Sequence, residues 1–284
     1  ELVRLYVNEL LGVDKIVRDR ELRIDYEDLL AYLASLAYEI LTNDYALTYS
    51  QWTNFTEKYK KTHRKVTEDI RNIQELLIQK GVIVEFHKPQ HREVFYTFRL
   101  KGIFEYFLAY QMKVDKKFLD QVLNEESYYL SFANEIEFYA GFERRDFDSI
   151  RVVFQKTKQI FTPLLSNERY EQVDEQLKQE TSNWRINTED AEVIFEEVQK
   201  DSYDKNEELM VSNDDLIISS GVEEKVYYDS IEPTIENLEK ALFILSRVFR
   251  NSDVCDEKPL GDEILNFILT GTCNMGFCFS EQIT

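Results

Sequence analysis

The sequence predicts a mainly α-helical protein in which a winged helix-turn-helix with a short β-hairpin is followed by an α-helical array. Three observations predict it. Gly (8) and Pro (4) are scarce in 284 residues, so tight turns are few and a sandwich or barrel is disfavoured. Apolar residues recur at spacings of three and four along much of the chain. Between 95 and 112 two periods meet. Phe95 to Leu100 alternates as a strand does, then Ile103, Phe104, Phe107, Leu108 and Met112 follow helical spacing, with the change at Lys101-Gly102.

The elements follow in order. Residues 2–11 read as a short helix closed by Gly12. Asp25 is the expected N-cap of a long helix whose stripe is Leu29, Leu30, Leu33, Leu36, Ala37, Ile40 and Leu41. Ser50 is expected to cap the next, with Trp52, Phe55 and Tyr59 on one face. A third runs through Val66, Ile70, Ile73, Leu76 and Leu77, and Gly81 closes it in the left-handed conformation. Val82–Phe86 and Val94–Leu100 read as the two strands of a hairpin, joined by a polar turn that contains Pro89. Three helices and then a hairpin is the order of a winged helix.

Beyond the hairpin every element reads as helix. One carries Phe118, Val122 and Leu123. Another spans Tyr128 to Phe138 with Gly141 as its stop. A third runs from Ile150 to Phe161 and ends at Pro163. Segments 167–181 and 188–201 are acidic and amphipathic, and 202–232 shows little periodicity. Helical pattern resumes over 234–250, and Asp262 is the expected cap of a last helix through Phe267.

Charge divides the chain. Residues 1–120 carry 19 basic and 19 acidic side chains, out of totals of 34 and 54. The whole net charge of −20 therefore falls beyond residue 120. A step of this kind marks a boundary. The expected division is 1–112, a helical segment plus winged helix, and 113–284, an acidic helical domain that nucleic acid phosphates would repel.

The chemistry-bearing motifs are few. The G-x-x-x-x-G at Gly271–Gly276 has Phe277 where a phosphate-binding loop needs Lys, so the chain has no P-loop. His87 and His91 flank Pro89 in a turn and share no helix face. Cys255, Cys273 and Cys278 form no even disulfide set and read as reduced thiols. No apolar run reaches the roughly 18 residues that span a bilayer. No catalytic residue and no metal set is expected, and the location expected is cytoplasmic. One basic cluster, Lys58, Lys60, Lys61, Arg64 and Lys65 with His63 among them, precedes the third helix, where a helix-turn-helix presents its reading element. Glu68, Asp69 and Glu75 make that helix a poor guest for a DNA groove.

The run from strand to helix resembles the region that follows the nucleotide-binding core of STAND NTPases of the NACHT and NB-ARC kind. Phe98, Glu105, Tyr106, Phe107 and Ala109 match, in order, the family pattern F-x-H-x-x-x-x-E-Y-F-x-A. The resemblance covers about residues 1–140 and implies several expectations. The chain would be a non-catalytic regulatory and sensor portion of a bacterial signalling NTPase, often one of antiphage defence. Phe98, Glu105, Tyr106 and Phe107 would form the hinge between wing and helix. ATP or ADP with Mg would bind the longer polypeptide, upstream of Glu1. Partners would be other domains of that polypeptide and a protein ligand or further copies, with no membrane. The family's nucleotide-contacting His is Leu100 here, which cannot hydrogen-bond a phosphate. Arg99, on the opposite strand face, is the neighbouring substitute. Two other readings fit the same residues. One is a DNA-binding regulator using the basic cluster. The other is a helical scaffold that takes a basic protein on residues 121–284.

Overall fold

The computed structural model describes residues 5, 7–9, 26–63, 69–88, 91–162, 225, 227 and 231–283, with the backbone alone for 274–283. Most of the expected helix at 2–11, the Asp25 cap, Val66, Arg64, Lys65, Pro89, Pro163 and most of 167–232 lie outside the described residues; residues 5 and 7–9 are helical. Those described belong to one compact unit, made by 1–164 with 220–284.

Its elements are α1 (Tyr26–Thr42), β1 (Leu47–Thr48), α2 (Tyr49–Thr62), α3 (Ile70–Gln79), β2 (Ile83–His87), β3 (Val94–Phe98), α4 (Lys101–Val114), α5 (Lys116–Asn124), α6 (Glu126–Tyr129), α7 (Ala133–Phe142), α8 (Phe147–Phe161), α9 (Ile235–Asn251) and α10 (Lys258–Ile283). The described part is mainly helical, as the sequence predicts, with one small antiparallel sheet. Its strand order is β1-β3-β2, so the hairpin strand β3 lies between its partner and the two-residue β1. Register pairs Ile83 with Phe98 and Leu47 with Tyr96.

Local chemistry sets several boundaries. Gly81, at φ +68°, ends α3: its N–H donates to the Ile78 carbonyl and that of Val82 to Leu77, at 2.9 Å each. The cap of α2 is Thr48 and not Ser50. Thr48 and Gln51 satisfy each other's backbone N–H in a capping box, at 2.8 and 3.3 Å. Gly141 does not stop a helix; it lies inside α7, which ends at Phe142. The segment expected as one helix across Tyr128–Phe138 is two, broken at Leu130–Phe132. Asp262 is likewise interior to α10, which begins four residues earlier at Lys258-Pro259, where a proline is tolerated because the first turn needs no N–H partner.

The turn between α1 and β1 is strained. Asp44 (φ 53°) and Tyr45 (φ 60°) are both left-handed. Asp adopts this region readily, but a bulky residue there costs on the order of 1–2 kcal/mol and must be held.

Helix α4 organises the unit. It packs on α1 and on α7, and α7 packs on α9, which contacts α8 and α10. A buried knot ties α1 to α2: Trp52 Nε1 donates to the Tyr32 hydroxyl at 2.9 Å, and that hydroxyl meets Thr56 Oγ1 at 2.8 Å. Burial pushes the Tyr32 phenol up to about 12, so it stays protonated.

Candidate hinge at the strand-to-helix junction

Alternation places Phe98 inward at the end of β3, and helical spacing turns Phe104 and Phe107 back toward it. All three are at most 1 % exposed. The Phe98 ring lies 5.6 Å from Phe104 and 5.8 Å from Phe107. Tyr106 sets its edge on Phe107, Phe138 and Phe142 at 5.4, 5.9 and 5.0 Å. Such pairs each add about 0.5–1.5 kcal/mol beyond area burial. Phe98, Tyr106 and Phe107 of the expected hinge are thus brought together with Phe104 in one apolar core, and Glu105 is not part of it.

Leu100 is 43 % exposed and is the N-cap of α4, with no side-chain cap bond. No acid lies in the first turn of α4. Arg99 is exposed, and its backbone N–H donates to the Val82 carbonyl at 3.0 Å. Its guanidinium crosses Gly81, where a Cβ would stand 3.1 Å from Nη1. The start of α4 carries the partial positive charge of a helix N-terminus, and the Arg99 guanidinium lies over the end of α3.

Glu105, on the same helix, is 5 % exposed and points the other way, into a polar seam. Both its carboxylate oxygens accept from Asn134 Nδ2 at 3.1 Å. Asn134 Oδ1 accepts from Arg247 Nη1 at 3.1 Å, and Arg247 also pairs with Glu137. Glu137 further accepts from Arg250 at 2.9 Å and Asn251 at 3.1 Å. The seam therefore stitches α4 to α7 and α7 to α9.

Beside it Glu135 is fully buried. Lys225 Nζ stands 2.8 Å from its Oε1, and its Oε2 has no hydrogen-bond partner among the described residues. Burial is the main reason its carboxyl is pushed up to about 7; Lys225 opposes the shift and Glu105 adds to it. Sequence reading missed Asn134, Glu135, Glu137, Arg247 and Lys225. A charged residue inside an otherwise apolar helical stripe, as Glu135 is beside Ile136, was the signal available.

The basic cluster is split. Lys58 and Lys61 are exposed and Lys60 half-exposed at the end of α2, while Arg64 and Lys65 lie outside the described residues. The His63 ring stacks on Tyr59 at 3.9 Å. Exposed positions of α3 are Arg71, Asn72, Glu75 and Gln79, so its outer face adds one cation and one acid.

An open groove of about 820 Å³ lies between the start of α1, α4, α7 and the end of α9, floored by Tyr106, Tyr110, Phe138 and Phe142. Its cations are already paired: Lys113 with Glu143 at 2.9 Å, Arg144 with Asp253 at 2.6 Å, and Arg250 with Glu137. Among the described residues no cluster of His, Cys, Asp and Glu has the arrangement of a metal site. No helix among them is long and apolar enough to cross a membrane.

Residues 45–108 match the family model described as Novel STAND NTPase 4. This stretch is a STAND NTPase-associated region. It is narrower than the sequence resemblance, beginning at the strained Tyr45 and ending inside α4. It contains β1, both hairpin strands and every expected hinge residue from Phe98 to Phe107. No curated protein and no solved structure matches the chain. The STAND-associated region and the helices after it share α4, whose Phe face serves the first and whose Glu105 face serves the second.

Proposed function

We propose that the chain is a regulatory and sensor portion of a STAND-type signalling NTPase, acting in antiphage defence, in which the β3–α4 junction is the hinge that restrains assembly. The observation that carries this is the coincidence of the STAND-associated match with the junction. Phe98, Phe104 and Phe107 sit in that match, and Glu105 ties the same helix to the body.

The β1-β3-β2 sheet with α2 and α3 before the hairpin supports a winged-helix reading of this region. In the longer polypeptide a nucleotide bound upstream would present phosphates to the winged helix. Arg99 and the uncapped start of α4 are the groups here that would meet that charge, and the apolar Leu100 would shield them from water. Bound ATP with Mg would supply the phosphoryl group whose hydrolysis resets the switch. The residues of this chain bind and orient, and the helices 113–284 receive the signal. Release of the hinge would free the longer polypeptide to oligomerise. The acidic half favours a protein partner over nucleic acid, and the cytoplasm is the compartment this reading implies.

Two measurements test it. Phosphate release from ATP by the purified 284-residue chain stays at the blank. The reading frame upstream of Glu1 encodes a G-x-x-x-x-G-K-[ST] loop. Hydrolysis by the chain alone, or an upstream frame without that loop, contradicts the proposal.

A further inference from the structure

Two residues that belong neither to the hinge nor to a long helix, Lys225 and Tyr227, join the helical body to the first residue of the STAND-associated match. Lys225 buries its ammonium against Glu135 at 2.8 Å, the Ser131 carbonyl at 3.0 Å and the Phe132 ring at 4.5 Å. Its backbone N–H donates to the Tyr45 hydroxyl at 3.0 Å. Tyr227 meets the same hydroxyl at 3.1 Å while its ring rests on Tyr128 and Phe132, at 5.2 and 6.4 Å. Ile231 is buried, and its N–H donates to Glu126 Oε2 at 3.0 Å.

The receiving residue is not ordinary. Tyr45 holds a left-handed backbone that a bulky side chain does not adopt unaided. Its hydroxyl accepts from the Lys225 backbone N–H and shares a hydrogen bond with the Tyr227 hydroxyl, and its ring packs on Phe104 of α4 at 6.3 Å. Tyr45 thus links Lys225 and Tyr227 to the hinge helix through its ring.

We propose that Lys225 and Tyr227, with Ile231 tied to Glu126, form a latch that clamps the strained Tyr45 turn and, through Phe104, holds the β3–α4 hinge in its seated state. Unseating has two consequences. Tyr45 loses both partners of its hydroxyl, so its turn relaxes toward a right-handed or extended backbone and Phe104 loses a neighbour. Glu135 loses the cation that opposes its upward shift, so its carboxyl takes up a proton and stays buried as a neutral acid beside Glu105. A buried carboxyl stripped of its partner weakens the packing of α7. The groups facing Lys225 are Glu135, the Ser131 carbonyl and Phe132, with Glu126 beside Ile231. A ligand or a neighbouring domain that captured Lys225 or Tyr227 would open the hinge from the helical side. This inference rests on the hinge reading above and names its control.

Hydrogen exchange by the full 284-residue chain at neutral pH tests it, comparing wild type with Tyr227→Phe, Lys225→Met and the charge-neutral double Glu135→Gln/Lys225→Met. Tyr227→Phe removes one hydroxyl and leaves the ring, so the chain folds. The expected result is exchange faster by about tenfold at residues 45–48 and along α4, with α9 and α10 unchanged. Lys225→Met keeps the backbone N–H on Tyr45 and removes only the ammonium from Glu135, so it accelerates α7 as well, and the double variant accelerates α7 less than Lys225→Met does. Wild-type exchange at 45–48 in Tyr227→Phe overturns the latch, and so does a uniform acceleration of every helix. The readout needs no nucleotide. A missing upstream P-loop would therefore sink the STAND reading and leave the latch standing, and unchanged exchange would do the reverse.

Discussion

The aromatic core and the polar seam meet on one helix and are built in opposite ways. On one face of α4, Phe104 and Phe107 join Phe98 in a buried aromatic cluster. On another, Glu105 enters a chain of amide and charge contacts that runs through Asn134 to Arg247 and Glu137. Apolar burial is non-directional, and its cost of disruption grows with the volume removed. The seam depends on complete pairing, so losing one member leaves a buried charge behind. The first kind of contact gives a rigid unit. The second gives two discrete states, paired or unpaired, which is what a switch requires.

Removing volume from the dry face should have the largest effect. Phe104→Ala deletes a fully buried ring and is expected to lower stability by about 3–5 kcal/mol in a urea titration. A loss below about 1 kcal/mol would show that the junction is loosely packed. Next comes the seam. Beside it, Lys225→Met leaves Glu135 buried, protonated and without its partner, and should cost about 1–3 kcal/mol. Adding Glu135→Gln should recover more than half of that. A double variant no more stable than the single one would mean that the charge is not what the site depends on.

Titration of Glu135 gives a smaller, signed effect. Its folded carboxyl titrates at about 7 against an ordinary 4.5, so the folded chain holds a proton that the unfolded chain has released between those values. Stability from this group therefore rises as pH falls from about 7 to 4.5. Above that window both states are ionised and burial of the charge is a standing cost. Relative to Glu135→Gln, wild type should gain on the order of 1–3 kcal/mol between pH 8 and pH 5. Equal slopes for the two proteins would contradict the assignment. The smallest effect belongs outside both regions. Arg151 pairs with Asp148 and Glu257 on the surface, and Arg151→Ala should change stability by less than about 0.5 kcal/mol.

The two faces also differed in how far the sequence disclosed them. The aromatic face announced itself through period: Phe95 to Leu100 by two, then Ile103 to Met112 by three and four. Gly81 at the end of α3 was legible for the same local reason, since the chain there needs a positive φ. Strand β1 was not, because two residues carry no period and Leu47-Thr48 becomes a strand only by pairing with Phe95 and Tyr96. Thr48 outcompeted Ser50 as a cap because Gln51 sits three residues after it to close the box. The seam was hidden for a deeper reason. Asn134 and Arg247 are 113 positions apart, and Lys225 reaches Glu135 across a similar gulf of sequence. Acidic residues on helices read one at a time look like solvated surface, and only tertiary packing shows which of them are buried.

The central claim is that the β3–α4 junction restrains assembly of the longer polypeptide. Its most direct test is light scattering of that polypeptide carrying Phe107→Ala, with circular dichroism confirming the fold. The account predicts higher-mass species in the absence of any added ligand. A folded variant with the same mass as wild type would contradict it.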